Sequence, residues 1–162
     1  MPRRLRLILA LVVVLVLAAA WSYFRPETAF LDRRVDDPAP NSPTTVLLSG
    51  SFAPRAHQGH GVAQVLQLAD GQRVLHFADF ETQDGPDLQV YLLPSPDASN
   101  RSDLEKAGFR SLGPLKGNLG PQNYAMPADV QVADYHAVAV WCQRFGVNFT
   151  TAGLAASTST GR

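Results

Sequence analysis

Read as a pattern of apolar and polar positions, the chain opens on one long uncharged run. Leu7 to Phe24 (LILALVVVLVLAAAWSYF) carries no charge for 18 residues. As a helix rising 1.5 Å per residue it spans about 27 Å, close to the ~30 Å hydrocarbon core of a bilayer. Beyond it, apolar runs become short and are split by turn residues: Val46–Leu48, Gly50–Phe52, Val62–Leu68, Arg73–Phe80, Leu88–Leu93, Tyr124–Met126, Val130–Val132 and Ala137–Phe145, with Val147–Phe149 as a short continuation. Runs of this length and spacing predict strands. Asp70-Gly71 between two of them predicts a hairpin with its loop at Ala69–Gln72. One helix is predicted where Ser102 and Glu105 form a capping box, with Asp103 in the first turn and Gly108 as a left-handed end.

The expected fold is therefore all-β, an antiparallel β-sandwich of seven or eight strands with one short helix, preceded by a single N-terminal transmembrane helix. The boundaries are 1–24 for a signal anchor, 25–45 for a linker, 46–155 for the β domain and 156–162 for a disordered tail. Pro26, Pro38, Pro40 and Pro43 mark the linker as a semi-extended spacer lifting the domain off the membrane.

Charge gives the leading run an orientation. Arg3, Arg4 and Arg6 precede it, and Trp21 and Tyr23 sit at its far end. Arginines on the near side predict a cytoplasmic N-terminus and a periplasmic or extracellular domain. Cleavage after the small residues Ala18-Ala19-Ala20 is the alternative and would leave a secreted protein. A buried core helix fits poorly, because the run has no polar face. Of 14 basic residues, those three arginines leave 11 against 14 acidic ones in the remainder. No basic run survives there, so nucleic acid is not an expected partner.

Candidate chemistry centres on few residues. Cys142 is the only cysteine, which excludes an intramolecular disulfide and a C-x-x-C-H haem attachment. Strand alternation places Val138, Val140 and Cys142 on one face and Ala137, Ala139 and Trp141 on the other. Cys142 is then either a small core residue or a reactive thiol, and a nearby Arg144 guanidinium would favour thiolate. His57 and His60 lie in a glycine-flanked loop and read either as a ligand pair or as surface residues. Asp79, Glu81, Asp84 and Asp87 surround a turn whose spacing matches no EF-hand, so no metal site is assigned. A cupredoxin centre needs histidine and methionine after its cysteine, and neither follows Cys142. Motifs for a serine nucleophile elbow, a zinc protease or a phosphate loop are missing. Asn100 and Asn148 begin glycosylation sequons, relevant only in a eukaryotic host.

Four segments resemble the DM thirteen domain, an electron-transfer family associated with DOMON domains. They are GSF…HQGHGVAQVLQLADG at Gly50–Gly71, RVLHFADFETQDGPDLQVYL at Arg73–Leu92, LGPLKGNLGPQNYAMP at Leu112–Pro127 and YHAVAVWCQRFGVNF at Tyr135–Phe149. The resemblance implies a β-sandwich in an exported protein. It also implies a redox role for Cys142, as a naked thiol or with bound haem, toward an unidentified redox or protein partner. The competing expectation is a tethered binding module in which Cys142 is core and nothing is catalysed.

Overall fold

The computed structural model describes residues 2–24, 32–42, 44–96 and 98–157. Helix α1 runs Arg3–Phe24 and is long and apolar enough to cross a membrane, with none of its apolar window buried against the rest of the chain. The body holds nine strands: β1 Thr44–Pro54, β2 Gly59–Leu68, β3 Arg73–Thr82, β4 Leu88–Leu93, β5 Arg110–Pro114, β6 Gln122–Met126, β7 Ala137–Cys142, β8 Val147–Gly153 and β9 Ala155–Ala156. Helix α2, Arg101–Ala107, lies between β4 and β5.

The strands pair antiparallel in the order β5-β4-β7-β8-β1-β2-β3-β6, with β9 on β1. The body is thus mostly β, one nearly closed antiparallel sheet. Strand β1 joins its halves by changing partner: Thr44–Ser51 pair with β2, whereas Phe52–Pro54 pair with β8. Gly50 permits the close approach there, since a Cβ would stand 1.8 Å from the Gly153 carbonyl oxygen. The main core contains Phe52, Phe77, Phe80 and Tyr124, with ring centroids 4.8–5.4 Å apart. A second core lies under α2, where Leu104 and Ala98 meet Tyr91, Leu93, Ala137, Ala139 and Trp141. Strand β7 is therefore buried on both faces, which explains its uninterrupted apolar sequence.

The Asp70-Gly71 hairpin forms as expected, with Gly71 at φ +83° and Asp70 Oδ1 accepting from the Gln72 amide at 2.9 Å. Three local expectations change. The cap of α2 is Asn100, two positions before the expected Ser102, and its side chain accepts from the Asp103 amide at 3.1 Å. Val130–Val132 is no strand: Val130 closes a turn onto the Pro127 carbonyl, and Val132 starts a 3-10 turn. Ala137–Phe145 ends as a strand at Cys142, after which Gln143–Gly146 turn the chain into β8.

The linker also gains structure. Residues 32–38 form an extended strap along the 116–123 segment. The Val35 amide donates to the Leu119 carbonyl at 2.8 Å, and the Asp37 amide donates to Pro121 at 2.9 Å. Arg33 forks onto the carboxylate of Asp84 at 2.8 and 3.0 Å, and Lys116 Nζ meets Asp37 at 2.5 Å. The remainder of the proposed spacer, 25–31, and the tail from 158 onward lie outside the described residues.

Candidate functional site around Cys142

Cys142 closes β7, paired with Leu88 of β4 and Val147 of β8. Its side chain points into the main core and is 0% exposed. The strand alternation places it beside Val138 and Val140, on the face opposite Trp141. The sulfur is not left in a purely apolar cage. It accepts backbone N–H groups from Phe145, Arg144 and Asp87. Two of these donors come from the tight β7–β8 turn, closed by the Gly146 amide on the Cys142 carbonyl at 2.9 Å. The third comes from the β3–β4 loop, pinned by the Gln143 amide on the Asp87 carbonyl at 2.9 Å.

These donors favour negative charge on sulfur, and burial opposes it. Burial is the largest influence, and the Asp87 carboxylate adds to it, so the thiol pKa is raised. Cys142 is a neutral thiol at physiological pH. Arg144 gives the sulfur its amide but not its charge: the guanidinium lies over the Tyr23 ring, 4.8 Å from the centroid. The expected thiolate-favouring cation is therefore replaced by a neighbouring anion.

The two loop histidines do not converge on the sulfur. His57 stacks on Phe149, with centroids 3.9 Å apart, and its Nδ1 contacts the Gln83 side-chain oxygen. His60 Nε2 faces Glu81 at 3.6 Å, with both side chains exposed. His57 reaches the core through Phe149, which shares the main cluster with Cys142. Among the described residues no group of three or more His, Cys, Asp or Glu side chains is placed to hold a metal ion. A cleft of about 250 Å³ lies beside the histidines, lined by Asp32, Gln58, His60, Glu81 and Asp84, and Cys142 does not open onto it. The haem option fits these residues badly. The sulfur is sealed, and its lone pairs already face amide donors.

Sequence reasoning missed the partners of Cys142, because the donors are backbone groups that no residue type announces. It also passed over the polar residues of LKGNLGPQNY. Here they buttress the fold. Tyr124 donates its hydroxyl to Gln122 Oε1 at 2.6 Å, Gln122 Nε2 donates to the Gly117 carbonyl at 2.9 Å, and Asn118 Nδ2 donates to the Thr82 carbonyl at 3.1 Å. Burial raises the Tyr124 phenol far above its ordinary pKa. His76 is likewise structural, buried in β3 with Nδ1 2.7 Å from Asn123 Oδ1.

Comparison with known proteins gives one positive result. A family model described as Electron transfer DM13 matches residues 51–154. Neither a curated protein nor a solved structure matches the chain.

Proposed function

Because the chain belongs to the electron transfer DM13 family, we propose that it is a membrane-anchored, extracytoplasmic redox module whose electron-carrying group is Cys142. Helix α1 is the anchor, with its arginines cytoplasmic and the β domain on the far side. The observation that carries the proposal is the set of three backbone amides aimed at one buried sulfur. Such donors position the sulfur without a bulky ligand.

The chemistry consistent with this geometry is outer-sphere. A sealed sulfur has no room for a partner thiol in line with it, so disulfide exchange is disfavoured in the closed fold. One-electron oxidation breaks the S–H bond. The electron passes to an external one-electron acceptor, the unidentified redox partner. The proton passes to Asp87, the half-buried carboxylate whose charge the thiol already feels, and from it to solvent. Burial then shields the oxidised sulfur from water and from further oxidation.

A second reading rests on the same burial. A cysteine with no exposed surface, in a domain without a ligand cluster among its described residues, is also what a non-catalytic binding module has in its core. The two separate on the purified full chain in detergent or nanodiscs. The redox module shows a reversible couple that is lost in Cys142→Ser with the fold retained. The binding module shows no couple.

A further inference from the structure

Resting on the reading of α1 as a membrane anchor, we infer that the β7–β8 turn is a membrane-contact surface, with Phe145 dipping into the interface and Arg101 and Arg144 holding anionic phospholipid headgroups. The chain between α1 and the domain is short. Seven residues, Arg25–Leu31, separate α1 from Asp32. Whatever their conformation, eight residue steps reach no more than about 28 Å. Asp32 is fixed on the domain by Asn118 Nδ2 at 2.9 Å, and Arg33 by Asn118 and Asp84. The end of the domain that carries the β3–β4 loop is therefore held close to the exit of the anchor.

That end displays an aromatic ring between arginines. The Gln143 amide bonds Asp87 of the β3–β4 loop, so the β7–β8 turn stands at the same end. At its tip Phe145 is 50% exposed. Arg144 flanks it and reaches the Tyr23 carbonyl and ring at the end of α1. Arg101, exposed at the start of α2, reaches across the turn to the Gln143 carbonyl at 2.6 Å. Both guanidiniums are thus placed by carbonyl oxygens, leaving their charge for an outside anion. Of the acidic groups nearby, Asp84 is paired with Arg33, whereas Asp103 and Asp87 bond only the neutral amides of Asn100 and Gln89, the latter at 2.8 Å. An exposed aromatic flanked by arginines beside an anchor suits the headgroup layer, where the ring sits at the apolar boundary and the cations meet phosphates.

The amides of Arg144 and Phe145, in this same turn, face the sulfur of Cys142. The redox sulfur would then lie directly beneath the membrane-facing turn.

The test uses the full chain carrying Phe145→Trp in vesicles of phosphatidylcholine and phosphatidylglycerol at 7:3, with brominated lipid as quencher and the parent chain as the baseline for Trp21 and Trp141. The added indole is expected to be quenched and blue-shifted. Adding Arg101→Ser and Arg144→Ser should lower the surface-bound to free ratio about fivefold per arginine. An added indole that emits as in water, in a chain that stays with the vesicles in alkaline carbonate, overturns this surface alone and points to a soluble occupant. Equal quenching in pure phosphatidylcholine overturns the headgroup assignment. Release of the parent chain by alkaline carbonate overturns the anchor reading, and this surface with it.

Discussion

Cys142 combines two opposed influences, three amide donors that favour charge on sulfur and burial with a nearby Asp87 that disfavours it. Removing one tests the balance. Asp87→Asn takes away a neighbouring negative charge, so the thiol pKa falls toward its ordinary value. Ultraviolet absorbance of the thiolate against pH measures it. The raised thiol and the strongly raised Tyr124 phenol also set a sign for stability. Both groups bind their protons more tightly folded than unfolded. Their contribution is complete below the unfolded pKa values and is lost as pH rises through the folded ones. Denaturant midpoints are therefore expected to fall as pH climbs above about 9. A midpoint that stays level to pH 11 or so contradicts this. At this scale the sequence was legible in part. The alternation of AVAVWC placed Cys142 on one face with Val138 and Val140, because a pleated strand leaves no choice, but not that both faces of β7 are buried. The missing partners were backbone amides brought by the turn and by the β3–β4 loop, and the one side chain expected to matter, Arg144, turns outward.

At the scale of elements, the strap 32–38 is the piece with a mechanical role. Its fork from Arg33 to Asp84 joins a half-exposed guanidinium to a carboxylate only 2% exposed. Arg33→Ala leaves that carboxylate without its cation and is expected to cost about 1.5 kcal/mol, the low end for a bond to a charged group because Arg33 is partly in water. Gly117→Ala probes the strap without backbone strain, since a Cβ there stands 2.2 Å from the Arg33 carbonyl oxygen and 2.7 Å from Val35 Cγ2. The variant should detach the strap while the sheet survives. Hydrogen exchange at the Val35 and Asp37 amides reads this directly: both exchange fast in the variant, with β2 and β3 unchanged. The strap was illegible because its prolines suggest a spacer, whereas its pairing depends on glycines 117 and 120, more than 80 positions away. Strand β5, Arg110–Pro114, escaped for a related reason. Its sequence RSLGP is short and polar and pairs as the outer neighbour of β4. The β2–β3 hairpin was legible because its turn chemistry is local.

At the scale of the molecule, helix α1 ends at Phe24, the strap ties the chain to the β3–β4 loop, and that loop and the β7–β8 turn lie against the sulfur. Seven residues separate α1 from Asp32, in place of the twenty or so suggested by proline content, so the proposed anchor holds the domain on a short tether. The central claim is that the sulfur of Cys142 carries the electron. Film voltammetry of the purified full chain, alongside Cys142→Ser verified as folded by circular dichroism, tests it most directly. The account predicts a reversible couple in the parent, shifting with pH as a proton accompanies the electron, and its loss in the variant. A parent chain without a couple, or a couple that survives Cys142→Ser, contradicts it.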